Sequence, residues 1–214
     1  MDKFKNKYRI QSTRLQNWDY GWNAGYFVTI CTANRQCYFG EIQNNKMVLS
    51  NIGVIADILW FEIENHAQNV ELDAFVVMPN HIHGIIVLNN FILDDDKTKI
   101  DDVDDCETND FDTNVGTRHA LSLLQSPKPP QPTSSVQIIG QQRFQNQGKN
   151  TLSSIIGAYK SAVSKHAHRL GFDFAWQSRF HDHIIRNDAE YQRIKNYIIS
   201  NPENWHKDTF KNKI

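Results

Sequence analysis

Residues 75–88 read F-V-V-M-P-N-H-I-H-G-I-I-V-L, two apolar runs separated by Pro79-Asn80. Runs rich in β-branched residues on either side of such a pair predict two β-strands joined by a tight turn. Because side chains alternate between the faces of a strand, His81 and His83 are expected on one face and Ile82 on the other. Two imidazoles fixed on one strand face are positioned to bind a divalent metal.

A second H-x-H pattern, His181-Asp182-His183, occurs near the other end of the chain. With nine histidines among 214 residues, chance matches to this pattern are common. Asp182 would point into the core if both flanking histidines faced a solvent cleft. The first pair is therefore the preferred metal candidate, although His183 could still face a ligand. The alternative for the first pair is two partly exposed histidines at a strand end.

The composition indicates one globular domain outside the membrane. The 214 residues are 40% hydrophobic and include five Trp and twelve Phe, enough for a core. No run approaches the ~18 apolar residues of a membrane helix, and the N-terminus lacks an apolar signal segment. Three cysteines without C-x-x-C spacing indicate neither a disulfide framework nor a zinc knuckle. We therefore expect a cytoplasmic protein without a membrane partner.

The charge is distributed unevenly along the chain. Residues 91–114 contain nine Asp, one Glu and two Lys, a local balance of −8, so the rest of the chain carries +7. A basic body favours a polyanionic partner such as nucleic acid. Ordinary surface charge remains the alternative explanation.

Residues 89–150 are predicted to be an insertion into a single domain that spans residues 1–214. The segment combines the acidic stretch with S-P-K-P-P-Q-P and a Gln/Asn-rich run, and no hydrophobic period persists through it. This composition is typical of a mobile loop or disordered segment.

Outside the insertion, the hydrophobic pattern predicts a compact α+β fold. The predicted strands are 26–32, 71–78, 81–88 and 179–186, with a hairpin within 39–49, and the predicted helices are 52–63, 152–166 and 189–200. Without the hairpin, the order is β-α-β-β-α-β followed by a C-terminal helix. This order predicts a ferredoxin-like antiparallel sheet with helices on one face and an additional C-terminal helix.

The last predicted helix contains Tyr197 and Asn201 in the segment N-Y-I-I-S-N-P. Its expected buried stripe consists of Tyr191, Ile194 and Ile198. At i, i+4 spacing the Tyr197 phenol and the Asn201 amide share a helix face beside that stripe. Pro202 biases Asn201 toward extended geometry, which predicts that the helix ends close to this residue. Simple packing of an amphipathic helix is the alternative role for the tyrosine.

Four co-linear segments resemble the REP-associated tyrosine transposases of the HUH superfamily. They are Y-F-V-T-I-C-T at 26–32, F-V-V-M-P-N-H-I-H-G-I-I at 75–86, W-Q-S-R-F-H-D-H-I-I-R at 176–186 and Y-I-I-S-N-P at 197–202. Together they span both ends of the chain, and only the predicted insertion falls outside them. The ferredoxin-like fold that the resemblance implies agrees with the order of strands and helices.

The resemblance also implies roles for individual residues. His81 and His83 would bind the metal, Asn201 would complete its site, and Tyr197 would be the nucleophile. Neutral nitrogen and oxygen ligands suit Mg²⁺ or Mn²⁺. The implied activity is a metal-dependent single-strand DNA endonuclease and strand transferase that forms a 5′-phosphotyrosine intermediate. Its substrate would be a DNA hairpin with single-stranded flanks.

Two other functions fit the same sequence: a domesticated, non-catalytic binder of repeat hairpins, and a hydrolase that uses metal-activated water. Contacts with DNA are predicted for one aromatic and five basic side chains: Arg14, Lys160, Lys165, Trp176, Arg179 and Arg186. Core packing for the aromatic and solvation for the cations are the alternatives.

The sequence fits both a monomer and a homodimer, and the tyrosine helix could act on its own chain or on a partner.

Overall fold

The computed structural model describes residues 3–4, 7–8, 18–67, 69–89 and 150–210, so nearly all of the predicted insertion lies outside the described residues. The strands are β1 (Lys3–Phe4), β2 (Lys7–Tyr8), β3 (Ala24–Cys31), β4 (Gly40–Gln43), β5 (Lys46–Leu49), β6 (Val70–Met78), β7 (His81–Leu88) and β8 (His181–Ile185). The α-helices are α1 (Asn51–His66), α2 (Leu152–Arg169) and α3 (Asp188–Ile199), and short 3₁₀ segments cover Ala33–Arg35 and Pro202–Lys207. None of the described helices is long and apolar enough to cross a membrane.

The central sheet has four strands in the order β6-β7-β3-β8, and each neighbouring pair is antiparallel. This confirms the predicted α+β class with an antiparallel sheet. The predicted hairpin forms a separate two-stranded sheet of β4 and β5. Strand β8 is shorter than predicted and ends before Arg186, whose N–H donates to the Glu190 carboxylate at 3.0 Å instead of continuing the strand ladder.

Each helix begins where a side chain caps the first free N–H groups. Ser50 accepts the Gly53 N–H at 3.1 Å at the start of α1. Thr151 forms a capping box with Ser154 at the start of α2, and Asn187 accepts the Glu190 N–H at 2.9 Å to start α3. Such caps each stabilise a helix by ~0.5–2 kcal/mol and fix the residue at which it starts.

The sheet is covered on both faces. Ile82 and Ile86 of β7 face the larger core, which contains buried residues of α1 and α2. Ile85 and Val87 alternate with these residues along β7 and point to the other face of the sheet. There they contact a second cluster that contains the predicted stripe of α3, namely Tyr191, Ile194 and Ile198. The prediction of helices on one face therefore applies to α1 and α2, and α3 lies on the opposite face. By the same alternation, α3 shares its face with His81 and His83.

Polar contacts fix α3 to the sheet of its own chain. The Tyr191 hydroxyl donates to the Asp73 carboxylate of β6, and Lys195 Nζ donates to the same carboxylate at 2.9 Å. These bonds supplement the apolar stripe, so the helix is anchored both in the core and at its edge.

Gly84 lets α1 approach β7 closely. A Cβ at this position would lie 2.3 Å from Cζ2 of Trp60, whose indole is fully buried and stacks on Phe75 at a ring distance of 4.9 Å. A rigid ring stacked in this way has little room to shift. We expect Gly84→Ala to lower the free energy of unfolding by ~1–3 kcal/mol, measured by urea denaturation.

Gly157 in the interior of α2 is the matched control, because a Cβ there would meet no atom of the described residues within 4 Å. Gly157→Ala is expected to raise the free energy of unfolding by ~0.5–1 kcal/mol through helix propensity alone. Equal effects of the two substitutions would contradict the close contact between Gly84 and Trp60.

Candidate functional site

The first histidine pair lies side by side in the protein interior. His81 and His83 are 0% and 1% exposed, and their ring centroids are 4.4 Å apart. Both rings lie on the α3 side of β7, where Thr29 of β3 pairs with His83 in the strand register. The alternative of two partly exposed histidines is therefore wrong, because α3 and the residues that follow it cover this end of the sheet.

Each imidazole is oriented through its Nδ1 atom. The His81 Nδ1–H donates to Asn80 Oδ1 at 2.9 Å, and His83 Nδ1 is hydrogen-bonded to the Thr29 hydroxyl at 2.8 Å. Asn80 is itself fixed, since its Nδ2 donates to the carbonyl oxygens of Arg35 at 3.1 Å and Phe210 at 2.7 Å. Partners of this kind orient histidine ligands at metal sites and leave Nε2 available for coordination.

Both imidazoles are held in the neutral form. Burial lowers the pKa of His83 to about 3, with a smaller contribution from His181. Burial, together with His83 and Arg35, also lowers the pKa of His81 well below its usual range. A neutral imidazole retains the lone pair with which it binds a cation, so neither ring needs to lose a proton before coordination at neutral pH.

Helix α3 brings Tyr197 to the histidine pair of the same chain. The Tyr197 hydroxyl lies 3.3 Å from His83 Nε2, and the phenol ring meets Phe27 edge-on at 6.2 Å between ring centroids. The pKa of the phenol is raised above its usual value. Burial is the main cause and the Asp208 carboxylate adds to it, while a hydrogen bond with Asn201 acts in the opposite direction. With 44% of the residue exposed, the tyrosine borders both the buried pair and the surface.

Asn201 is 3% exposed and its amide contacts Tyr197, which places the two residues together as their spacing predicted. The predicted extended geometry is wrong, because Asn201 has φ −59° and ψ −43° despite Pro202. Two backbone bonds impose this turn: the Asn201 N–H donates to Ile198 O at 3.2 Å, and the Asn204 N–H donates to Asn201 O at 3.0 Å.

The donor atoms of the predicted metal ligands fit a cation. Among the described residues, His81 Nε2 and Asn201 Oδ1 are buried without a hydrogen-bond partner, and metal coordination would satisfy both atoms. The same residues include no group of three or more His, Cys, Asp or Glu side chains that could hold a metal ion. Within the part of the chain that the structure describes, the histidine pair is therefore not part of a preformed cluster of three such ligands in this conformation, and a metal there would need further donors, of which the Asn201 amide oxygen is one.

Sequence reasoning missed Asp208, which the 3₁₀ segment after α3 carries back to the histidines. Its Oδ2 is 3.7 Å from His81 Nε2, and its side chain is only 6% exposed. Phe210, two residues further on, lies over His81 at a ring distance of 4.7 Å. Asp208 lies beyond the last predicted helix, outside any periodic pattern, so no signal in the sequence indicated this contact.

Two of the predicted DNA contacts make structural bonds within the chain. The Trp176 indole N–H donates to Lys160 O at 3.0 Å, and Lys160 Nζ donates to Gln177 O at 2.7 Å. Trp176 also packs against the larger core. These bonds connect α2 to the segment before β8, and a DNA role for either residue stays a prediction.

The other predicted DNA contacts lie on separate elements or outside the described residues. Lys165 is exposed on α2, the helix layer on the opposite face of the sheet, and Arg179 and Arg186 are exposed beyond the two ends of β8. Arg14 lies outside the described residues. Their contacts with DNA remain predictions.

The second H-x-H pair does not form a comparable site. His181 and His183 are exposed on β8, and His183 Nε2 is 2.8 Å from Glu190 Oε1 in the first turn of α3. Glu190 also accepts the Arg186 N–H and pairs with Arg193 at 3.4 Å. His183 thus belongs to a polar network that links β8 to α3.

The fold and site define an α+β protein with a buried histidine pair beside a half-exposed helix tyrosine. No family model matches the chain. An uncharacterized protein of Haemophilus influenzae is 31% identical over 199 residues, which cover 92% of this chain and 91% of that protein. The chain belongs to the same family as that protein.

A solved structure of a REP-associated tyrosine transposase bound to a REP hairpin is also similar. The TM-score is 0.48 and the sequence identity 18%, over 90% of this chain and 73% of that chain.

Proposed function

We propose that the protein is a metal-dependent single-strand DNA endonuclease and strand transferase with Tyr197 as its nucleophile. The observation that carries this proposal is the 3.3 Å approach of the Tyr197 hydroxyl to His83 Nε2, beside a second buried neutral imidazole. The four segments that resemble REP-associated tyrosine transposases support it, because this contact joins two of them. The sheet order β6-β7-β3-β8 supports the ferredoxin-like part of the proposal.

The proposed cofactor is Mg²⁺ or Mn²⁺ held by His81, His83 and Asn201. When bound, such an ion withdraws charge from the scissile phosphate and stabilises the leaving oxygen. These imidazole and amide ligands are neutral, so they would leave a bound ion with a net positive charge to attract an anionic phosphate. The fixed Nδ1 contacts of the two rings mean that the ligands need little rearrangement.

Tyr197 would perform the covalent step. Its phenolic oxygen attacks the phosphorus, a new Oη–P bond forms, and the bond from phosphorus to the 3′ oxygen breaks. The phenol loses its proton to solvent, and the leaving oxygen takes up a proton to give a free 3′-OH. Because the phosphodiester energy is retained in the phosphotyrosine, attack by another 3′-OH transfers the strand without a nucleotide cofactor.

One chain would carry a complete site. Tyr191 and Lys195 anchor α3 to Asp73 of the same chain, and this places Tyr197 at its own histidine pair. A single nucleophile cuts one strand, so the proposed substrate is single-stranded DNA in a hairpin with unpaired flanks. The surplus of basic residues outside the acidic stretch is consistent with this polyanionic substrate.

The test is to incubate the full chain with a hairpin oligonucleotide carrying single-stranded flanks, labelled at its 3′ end, with Mn²⁺. We expect a protein–DNA adduct that survives denaturation, retains the 3′ label and does not form when EDTA is present from the start. Metal-dependent cutting without an adduct would instead identify water as the nucleophile. Binding with neither cutting nor adduct would favour the non-catalytic hairpin binder.

A further inference from the structure

We infer that Asp208 is an additional ligand of the divalent metal proposed at His81, His83 and Asn201. The inference rests on the proposed function and extends it to the C-terminal segment, residues 205–210. Neither the histidine motif nor the tyrosine helix includes this carboxylate. Its position depends on the turn that follows α3.

Three buried side-chain atoms that could each coordinate a metal, and that have no hydrogen-bond partner, support the inference. Among the described residues, His81 Nε2, Asn201 Oδ1 and Asp208 Oδ2 are all buried and all lack a hydrogen-bond partner. His81 Nε2 and Asp208 Oδ2 are 3.7 Å apart, which is too long for a hydrogen bond. Two neighbouring ligands that each lie ~2.1 Å from one octahedral Mg²⁺-sized ion are ~3.0 Å apart, so Oδ2 would have to move closer to Nε2 by less than ~1 Å for both atoms to bind one cation.

Asp208 is held with one oxygen directed to His81. Its Oδ1 accepts the Phe210 N–H at 2.8 Å, which leaves Oδ2 on the side of the imidazole. The segment is fixed at two further points: Phe210 O accepts from Asn80 Nδ2 at 2.7 Å, and Thr209 O accepts from an Arg35 guanidinium N–H at 2.9 Å. Asn80 therefore orients His81 and also binds the segment that carries Asp208.

The unpaired carboxylate oxygen favours a cation at this position. Asp208 Oδ2 is buried without a hydrogen-bond partner among the described residues, and the nearby Arg35 guanidinium donates to Thr209 O. A divalent ion would bind Oδ2 directly, and the carboxylate would add a hard anionic oxygen to the histidine and amide donors. Such a set suits Mn²⁺ or Mg²⁺ better than neutral nitrogen ligands alone. Metal binding would then also hold residues 205–210 against the sheet.

The test measures Mn²⁺ binding by calorimetry on the full chain without DNA. Asp208→Asn is expected to weaken Mn²⁺ affinity at least ~10-fold, since even indirect partners of metal ligands contribute this much. Glu203→Gln is the matched control, because Glu203 is an exposed carboxylate in the 3₁₀ segment that immediately precedes Asp208. Loss of this solvent-screened charge should change the affinity by less than about threefold. Thermal unfolding without metal checks that both variants fold.

Hydrogen exchange provides a second readout. Mn²⁺ should slow exchange in residues 202–210 of the wild type but not of Asp208→Asn. If His81→Ala abolishes Mn²⁺ binding and Asp208→Asn binds like the wild type, the role of Asp208 is overturned while the proposed metal centre stands. If the wild type binds no Mn²⁺, or His81→Ala binds equally well, the metal centre fails and the inference fails with it.

Discussion

Tyr197→Phe is expected to abolish the covalent protein–DNA adduct and to slow strand cleavage by at least ~10³-fold, because the attacking oxygen is removed. The ring would keep its contacts with His83 and Phe27, so folding and hairpin binding should change little. Single-turnover cleavage with a labelled hairpin measures the rate, and a gel-shift titration of the same variant measures affinity.

Tyr191→Phe is the matched control on the same helix. It removes the hydroxyl that donates to Asp73 on the buried side of α3, so it should lower stability but retain adduct formation. An undiminished adduct in Tyr197→Phe would show that another group attacks the phosphate. Parallel losses of binding and cleavage would instead assign Tyr197 to DNA recognition.

His83→Ala is expected to have the second large effect. The substitution removes a proposed ligand and leaves a cavity between Phe27 and Thr29, so Mn²⁺ affinity should fall at least ~100-fold. Cleavage at limiting Mn²⁺ should fall in parallel and recover partly at high Mn²⁺. Calorimetry and cleavage rates across a Mn²⁺ titration measure both effects.

His183→Ala serves as the comparison, because His183 lies on the same sheet face but is 44% exposed and paired with Glu190. Its loss should leave Mn²⁺ affinity unchanged and slightly loosen the connection from β8 to α3. Equal effects of the two substitutions on Mn²⁺ affinity would place the metal elsewhere than the His81–His83 pair.

Local patterns were sufficient to predict the strands that carry the site. Alternation in residues 81–88 predicted that His81 and His83 share a face, and the structure places both on the α3 side of β7. The apolar spacing of Tyr191, Ile194 and Ile198 predicted the buried stripe of α3. These features depend only on the period of a strand or helix, which a sequence displays directly.

Contacts that depend on long-range packing were not predictable. The period of α3 does not specify which sheet face the helix covers, and the effect of Pro202 on Asn201 was outweighed by the bonds of the following turn. Asp208 reaches His81 only because that turn reverses the chain. Lys160 and Trp176 were predicted to face DNA from residue type alone, which could not reveal their bonds to each other and to Gln177.

Identifying the residue attached to DNA tests whether Tyr197 is the nucleophile. The adduct would be trimmed with nuclease, digested with trypsin and analysed by mass spectrometry. Cleavage after Lys195 and Lys207 releases residues 196–207, in which Tyr197 is the only tyrosine. We expect a nucleotide 5′-phosphate on Tyr197 in this peptide. A nucleotide on any other residue, or cleavage that yields no modified peptide, would contradict it.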